Sequence, residues 1–212
     1  MRDISTIMPR KVKLLRKQII AIGKKLCRLG LVAGRAGNLS VRLDKNNLLI
    51  TATGCSLVNL KYSDILQVGL TKQKEAKTKP VSSEFPLHSS IYQNFASKVV
   101  IYCHPPLTNA YFSMYPSIKP LTLETKFYLG EIPVVKQKTP TVTRPEAVIS
   151  ALKKAKLVVL KNHGVVSVGE NFDAALSLIE TLESAIRVVA VARLLQQKTP
   201  DPLNKQLKRY LA

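Results

Sequence analysis

Groups able to do chemistry crowd into two stretches of this 212-residue chain. The first holds Ser82-Ser83-Glu84 and Tyr102-Cys103-His104; the second is Lys161-Asn162-His163-Gly164. The only three histidines, His88, His104 and His163, lie in or beside them. One carboxylate and two imidazoles from separate segments are a reasonable donor set for a Lewis-acidic divalent metal. Tyr102 and His104 stand two apart on a candidate strand and so share a face, while Cys103 points the other way. A lone histidine after a core strand is more often structural than a ligand, and on these residues alone both readings stay open.

A second chemistry lies in the turns. Gly37-Asn38 and Thr53-Gly54 fall at strand ends, and Ser82-Ser83 opens a helix. Glycine lets backbone amides approach a ligand, a helix start adds partial positive charge, and hydroxyls supply donors. Together they could hold a phosphate. Each is also an ordinary turn or capping sequence.

The elements that must position these groups follow from periodicity. Val12, Leu15, Ile19, Ile22, Leu26 and Leu29 recur every three or four residues between Pro9 and Gly30, which predicts an amphipathic helix with Lys and Arg on its outer face. Segments 39–43 and 48–53 read as a strand hairpin, followed by a short strand or helix-to-strand transition over 64–68 and a basic loop over 73–79. Ser82 or Ser83 is expected to cap a helix with Glu84 in its first turn. Strands are expected at 99–103 (closed by Pro105-Pro106), 131–135, 157–160 and 165–168, with helices at 144–153 and 171–195. Hairpins and flanking helices without regular βαβ alternation indicate layers around a mainly antiparallel sheet.

Composition narrows the class. With 46% apolar residues the chain has the content of a folded protein, and its length suits one domain over residues 1–212. No apolar run approaches a membrane span, and no signal-peptide core follows the N-terminal basic residues. Cys27, Cys55 and Cys103 are odd in number and lack CxxC spacing, so reduced thiols and a cytoplasmic location are expected. The net charge of +20 favours phosphorylated ligands and leaves polyanion binding possible, although no zinc-finger or aromatic RNA-binding signature accompanies it.

The segments GRAGNLSVRL, LLITATG, SSEFPLH, VVIYCHPP and LKNHGVVSVGENFDAALSLIETLE resemble, in order and spacing, the class II aldolase/adducin family. The resemblance spans about residues 10–195 and leaves 196–212 as a tail. It implies an α/β fold, a class II aldolase-like three-layer α/β/α sandwich, and a homotetramer with sites at subunit interfaces. It implies that Gly37, Asn38, Thr53, Gly54, Ser82 and Ser83 bind phosphate, with Arg35 adding a charged contact. Glu84 would be the acid/base and a metal ligand, beside His104 and His163. Zinc would be the metal. Tyr102 stands where the family writes a third histidine, and as a ligand it would have to ionise. His88 matches a frequent family position and is expected to pack or hydrogen-bond near the site.

The implied reaction is metal-dependent retro-aldol cleavage of a ketose 1-phosphate such as L-fuculose 1-phosphate, giving dihydroxyacetone phosphate and an aldehyde. Tyr210 would be the general acid by its place in the tail, with Tyr128 a weaker candidate. The same scaffold could instead support a sugar-phosphate 4-epimerase, a methylthioribulose-phosphate dehydratase/aldolase, or a non-catalytic adducin-like binding module with a degenerate metal site.

Overall fold

The computed structural model describes residues 4–71, 80–137 and 139–198. It opens with helix α1 (Ile4–Arg28), whose Ile19, Ile22 and Leu26 are buried while Lys11, Lys13, Lys17, Lys24 and Arg28 are exposed. Strands β1 (Asn38–Arg42) and β2 (Asn47–Thr51) form the expected hairpin. Its turn is tied by Asp44 Oδ1, which accepts from the amides of Asn46 and Asn47 at 2.8 and 2.9 Å. Strand β3 (Ile65–Gly69) pairs with β2. Helix α2 (Phe85–Asn94) then leads to β4 (Val99–Cys103).

Two short helices follow that periodicity did not reveal: α3 (Pro106–Met114) and α4 (Leu123–Leu129). Pro105-Pro106 reads as a strand terminator. Pro106 also suits a first helical position, where the missing N–H has no partner to lose. The next two amides, of Leu107 and Thr108, donate to the buried Glu183 carboxylate at 3.0 and 2.9 Å. Strand β5 (Val134–Lys136), helix α5 (Glu146–Leu152), strands β6 (Leu157–Lys161) and β7 (Gly164–Gly169), and helix α6 (Phe172–Lys198) complete the order.

The seven strands make one sheet in the order β3-β2-β1-β4-β7-β6-β5. Every pairing is antiparallel except that of β5 with β6. Strand β4 lies at the centre, buried throughout, and its alternation divides the core. Val99, Ile101 and Cys103 join the apolar cluster under α1, α3 and α6. Val100 and Tyr102 join the cluster under α2 and α5. The result is a three-layer α/β/α sandwich. Among the described residues no helix is long and apolar enough to cross a membrane, and no disulfide forms.

The start of α2 corrects one expectation. Glu84 is the capping residue rather than a first-turn residue, and its side chain makes no capping bond. The Ser82 hydroxyl instead accepts from the Glu84 amide at 3.2 Å. Pro86 occupies the first turn, where it needs no partner for a missing N–H.

Candidate active site

The residues singled out by type and spacing converge because five chain segments meet at one end of the central strands. Asn38 at the start of β1 pairs with Tyr102 near the end of β4. Gly37 precedes it with φ +81°, and a Cβ there would lie 2.9 Å from the Tyr102 carbonyl oxygen, so only glycine fits this approach. At the far end of β2, an isolated Ala52–Val81 bridge draws residues 80–84 alongside the strand, helped by the Thr53 amide donating to Pro80 O at 3.1 Å. This carries Ser82, Ser83 and Glu84 to Thr53 and Gly54. The β6–β7 turn brings His163, with Asn162 in the left-handed region at φ 62°. Gly164 lets β7 begin close to β4. A Cβ on it would sit 2.4 Å from Cys103 O and 2.6 Å from His104 Cδ2.

Between these segments lies a cavity of about 150 Å³. Gly37, Asn38, Thr53, Gly54, Ser82, Ser83, Glu84, Tyr102, His104 and His163 all line it. Arg35 lines it too, beside Gly37 and Asn38 in sequence. Tyr210 lies outside the described residues. Tyr128 sits on α4, 63% exposed and away from this cavity.

Glu84 is nearly buried, and both of its oxygens accept from the Val142 amide, at 3.1 and 3.3 Å. Burial raises its pKa, and the Val142 amide opposes the rise. The carboxyl therefore holds a proton more readily than an exposed glutamate, which suits an acid/base. Burial also keeps the imidazoles neutral. His104 is pushed down to about 4 by burial and then by the neighbouring His163, and His163 is lowered by burial. Tyr102 is raised by burial first, then by Glu84 and Cys103, so the phenol keeps its proton.

The metal implied by the resemblance can be tested on these donors. Tyr102, His104 and His163 form a ring cluster, with His104 and His163 centroids 5.0 Å apart. Tyr102 Oη lies 2.8 Å from His163 Nε2. Whichever of the two carries the shared proton, that nitrogen has no lone pair left for a metal. Two buried ring nitrogens, His104 Nε2 and His163 Nδ1, lack hydrogen-bond partners. Among the described residues, however, no group of three His, Cys, Asp or Glu side chains is placed to hold an ion. Two nitrogens fall short of the three protein ligands a catalytic zinc keeps. Glu84, His104, His163 and Tyr102 as arranged do not fit a zinc site.

His88 is completely buried and lies behind the cavity wall rather than in it. Its Nε2 is 2.5 Å from Asn38 Oδ1 and its Nδ1 is 2.6 Å from Ser40 Oγ. Several contributors left no sequence signal, because they act through backbone or distant contacts. Val142 holds Glu84 with its amide. Asn109 donates from Nδ2 to the His163 carbonyl at 3.1 Å. Ser40, and through it Tyr92, support His88.

Comparison with known proteins places the chain in a family. The chain is 31% identical over 183 residues to a 3-oxo-tetronate 4-phosphate decarboxylase of Pectobacterium atrosepticum, covering 83% of this chain and 84% of that protein. It is 32% identical over 170 residues to an L-fuculose phosphate aldolase of Methanococcus maripaludis, covering 77% of this chain and 92% of the relative. Among solved structures, an L-fuculose-1-phosphate aldolase from Thermus thermophilus superposes with a TM-score of 0.79 at 30% identity, over 88% of this chain and 97% of that one. The sequence pattern of the class II aldolase and adducin N-terminal domain matches residues 17–190, and the chain belongs to that family.

Proposed function

We propose that this chain is a carbon–carbon lyase acting on a small phosphorylated sugar. The observation that carries the reading is the shared cavity in which Asn38, Thr53, Ser82, Ser83 and Arg35 stand around one space with Glu84. The two kinds of relative, a decarboxylase and an aldolase, share one chemical problem. Each breaks a carbon–carbon bond near a carbonyl, and the electron pair passes into that carbonyl as an enolate or enediolate. For a ketose 1-phosphate such as L-fuculose 1-phosphate, the C4 hydroxyl gives up its proton, the C3–C4 bond breaks, and the enediolate of dihydroxyacetone phosphate takes up one proton.

Gly37, Asn38, Thr53, Gly54, Ser82 and Ser83 would anchor the phosphate through amides and side-chain donors, with Arg35 supplying charge. Glu84 would move the proton of the enediolate, a role its raised pKa supports. Tyr210 keeps its proposed role at the aldehyde oxygen by position alone. The resemblance implies zinc, but the donors as arranged do not make its site, so no step is assigned to a metal and the proton transfers use side chains alone.

The test is incubation with L-fuculose 1-phosphate and with 3-oxo-tetronate 4-phosphate, with and without added zinc. Dihydroxyacetone phosphate release and carbon dioxide release are the readouts. Product from one substrate is expected, reduced at least about a hundredfold in Glu84→Gln. No product from either, under any metal condition, would refute the lyase. A 4-epimerase or a methylthioribulose-phosphate dehydratase/aldolase would show instead as a rearranged or dehydrated sugar phosphate. The Tyr102–His163 hydrogen bond favours one rival, a non-catalytic adducin-like binding module with a degenerate metal site, which would show no turnover.

Self-association, with a tetramer as the proposed state, is supported by an apolar surface. Leu123 and Phe127 on α4 are each 82% exposed and Met114 at the end of α3 is 73% exposed. Light scattering should give an oligomer that Phe127→Glu breaks. The +20 charge supports polyanion binding, which would weaken steeply with salt. A cytoplasmic setting remains part of this proposal.

A further inference from the structure

We infer that a buried relay, Tyr92–Ser40–His88–Asn38, turns the Asn38 amide so that the cavity meets its N–H donors and not its carbonyl, which makes the site selective for an anion. The inference rests on the phosphate reading above and specifies how one wall of that site is set.

The direction of the relay follows from its acceptor-only end. Asn38 Oδ1 can only accept and lies 2.5 Å from His88 Nε2, so that nitrogen carries the one proton of the neutral ring. Nδ1 then accepts from the Ser40 hydroxyl at 2.6 Å, and Ser40 Oγ is left to accept from Tyr92 Oη at 2.8 Å, with the Lys98 carbonyl a longer second acceptor at 3.4 Å. The oxygen of the Asn38 amide is thereby occupied. Its NH₂ group remains for the cavity that Asn38 lines.

All four residues are buried, with Ser40 and His88 at 0% exposure, so water does not compete for these bonds. Burial also pushes His88 down to about 3, which keeps one ring nitrogen unprotonated. With the opposite proton order the asparagine would present its carbonyl to the ligand, and a phosphate would meet an acceptor. Tyr92, Ser40 and His88 are thus positioning residues for Asn38.

Two measurements on the intact chain test this. Long-range proton–nitrogen NMR of the histidine rings reports which nitrogen of His88 carries hydrogen; Nε2–H is expected. Titration with inorganic phosphate then compares wild type with His88→Gln, whose amide N–H reaches the Nε2 position, and with His88→Leu, which donates nothing. His88→Gln should stay within about threefold of wild type, and His88→Leu should lose about tenfold. A merely structural histidine would leave both variants with the same affinity. An Nδ1–H tautomer, or equal loss in both variants while wild type binds phosphate, overturns the relay. Failure of wild type to bind phosphate with the Nε2–H tautomer in place overturns the anion site itself, and with it the role given to the relay. The NMR result needs no variant to fold.

Discussion

Replacing Tyr102 with histidine should create a zinc site. In the wild-type chain the Tyr102 hydroxyl and His163 Nε2 are bound to each other at 2.8 Å, and two ring nitrogens remain unpartnered. For the phenol to serve as a third ligand it must ionise. From an ordinary pKa of about 10, that costs about 4 kcal/mol at pH 7. Burial and the nearby Glu84 raise the cost further. An imidazole is already neutral at pH 7 and carries no such cost. A difference of about 4 kcal/mol is about three decades in affinity, part of it lost to imperfect geometry, so Tyr102→His should bind zinc at least about a hundredfold more tightly than wild type. Tyr102→Phe, which breaks the hydrogen bond and adds no donor, should change affinity less than about tenfold. Competition against a chromophoric chelator gives the dissociation constants, and mass spectrometry after dialysis gives the stoichiometry. Tyr102 is 2% exposed, so the smaller side chain should cost about 1–3 kcal/mol of stability, and thermal melting confirms a folded variant first. Equal affinity in wild type and Tyr102→His, or tight stoichiometric zinc in wild type with tyrosinate absorption, would refute this reasoning.

Gly164→Ala places a methyl group 2.4 Å from Cys103 O, a backbone atom that cannot turn aside. A loss of about 2–3 kcal/mol in urea unfolding is expected, together with weaker phosphate binding; an unchanged midpoint would contradict the packing described. Glu183→Ala removes the acceptor for the Leu107 and Thr108 amides and for Thr108 Oγ1 at 2.7 Å, which should cost about 3 kcal/mol or more, with Glu183→Gln milder. Acid should destabilise the fold. His88 and His104 are held down to about 3 and about 4, so below the ordinary imidazole value near 6.5 the unfolded chain binds protons that the folded chain refuses. Stability therefore falls as pH drops through that window, by about 1.4 kcal/mol per unit from a fully buried histidine. Glu84, raised by burial, works in the opposite sense above its ordinary value and offsets part of this at its own pH range. Urea midpoints at pH 7, 5.5 and 4.5 should decline, and His88→Gln should flatten the trend; a constant midpoint would count against the buried neutral imidazole.

Most of the site is legible in the sequence, because its chemistry is local. Glycines beside Asn38 and Thr53, the Ser82-Ser83-Glu84 run, and histidines directly after core strands are short patterns whose residue types announce what they can do. The strands are equally plain, since alternation of apolar residues along β1 and the continuous apolar run of β4 both mark chain buried in a sheet. Helices α3 and α4 are not. At nine and seven residues they carry too little periodicity, and α3 depends on Glu183, 75 or more residues away in sequence, to hold its first amides. The same limit applies to Glu84, whose partner Val142 is 58 residues distant and contributes only backbone.

Residue types along the chain thus determined which groups are present: a carboxyl, two imidazoles, a set of turn glycines and hydroxyls, and a tyrosine where a third imidazole would stand. Only the tertiary structure decided what those groups are free to do. It committed His163 Nε2 to the Tyr102 phenol, turned Asn38 through a buried histidine, and aimed Glu84 at Val142. Hydrogen-bond partners are chosen by three-dimensional proximity and by the exclusion of water, and neither quantity is written in local sequence.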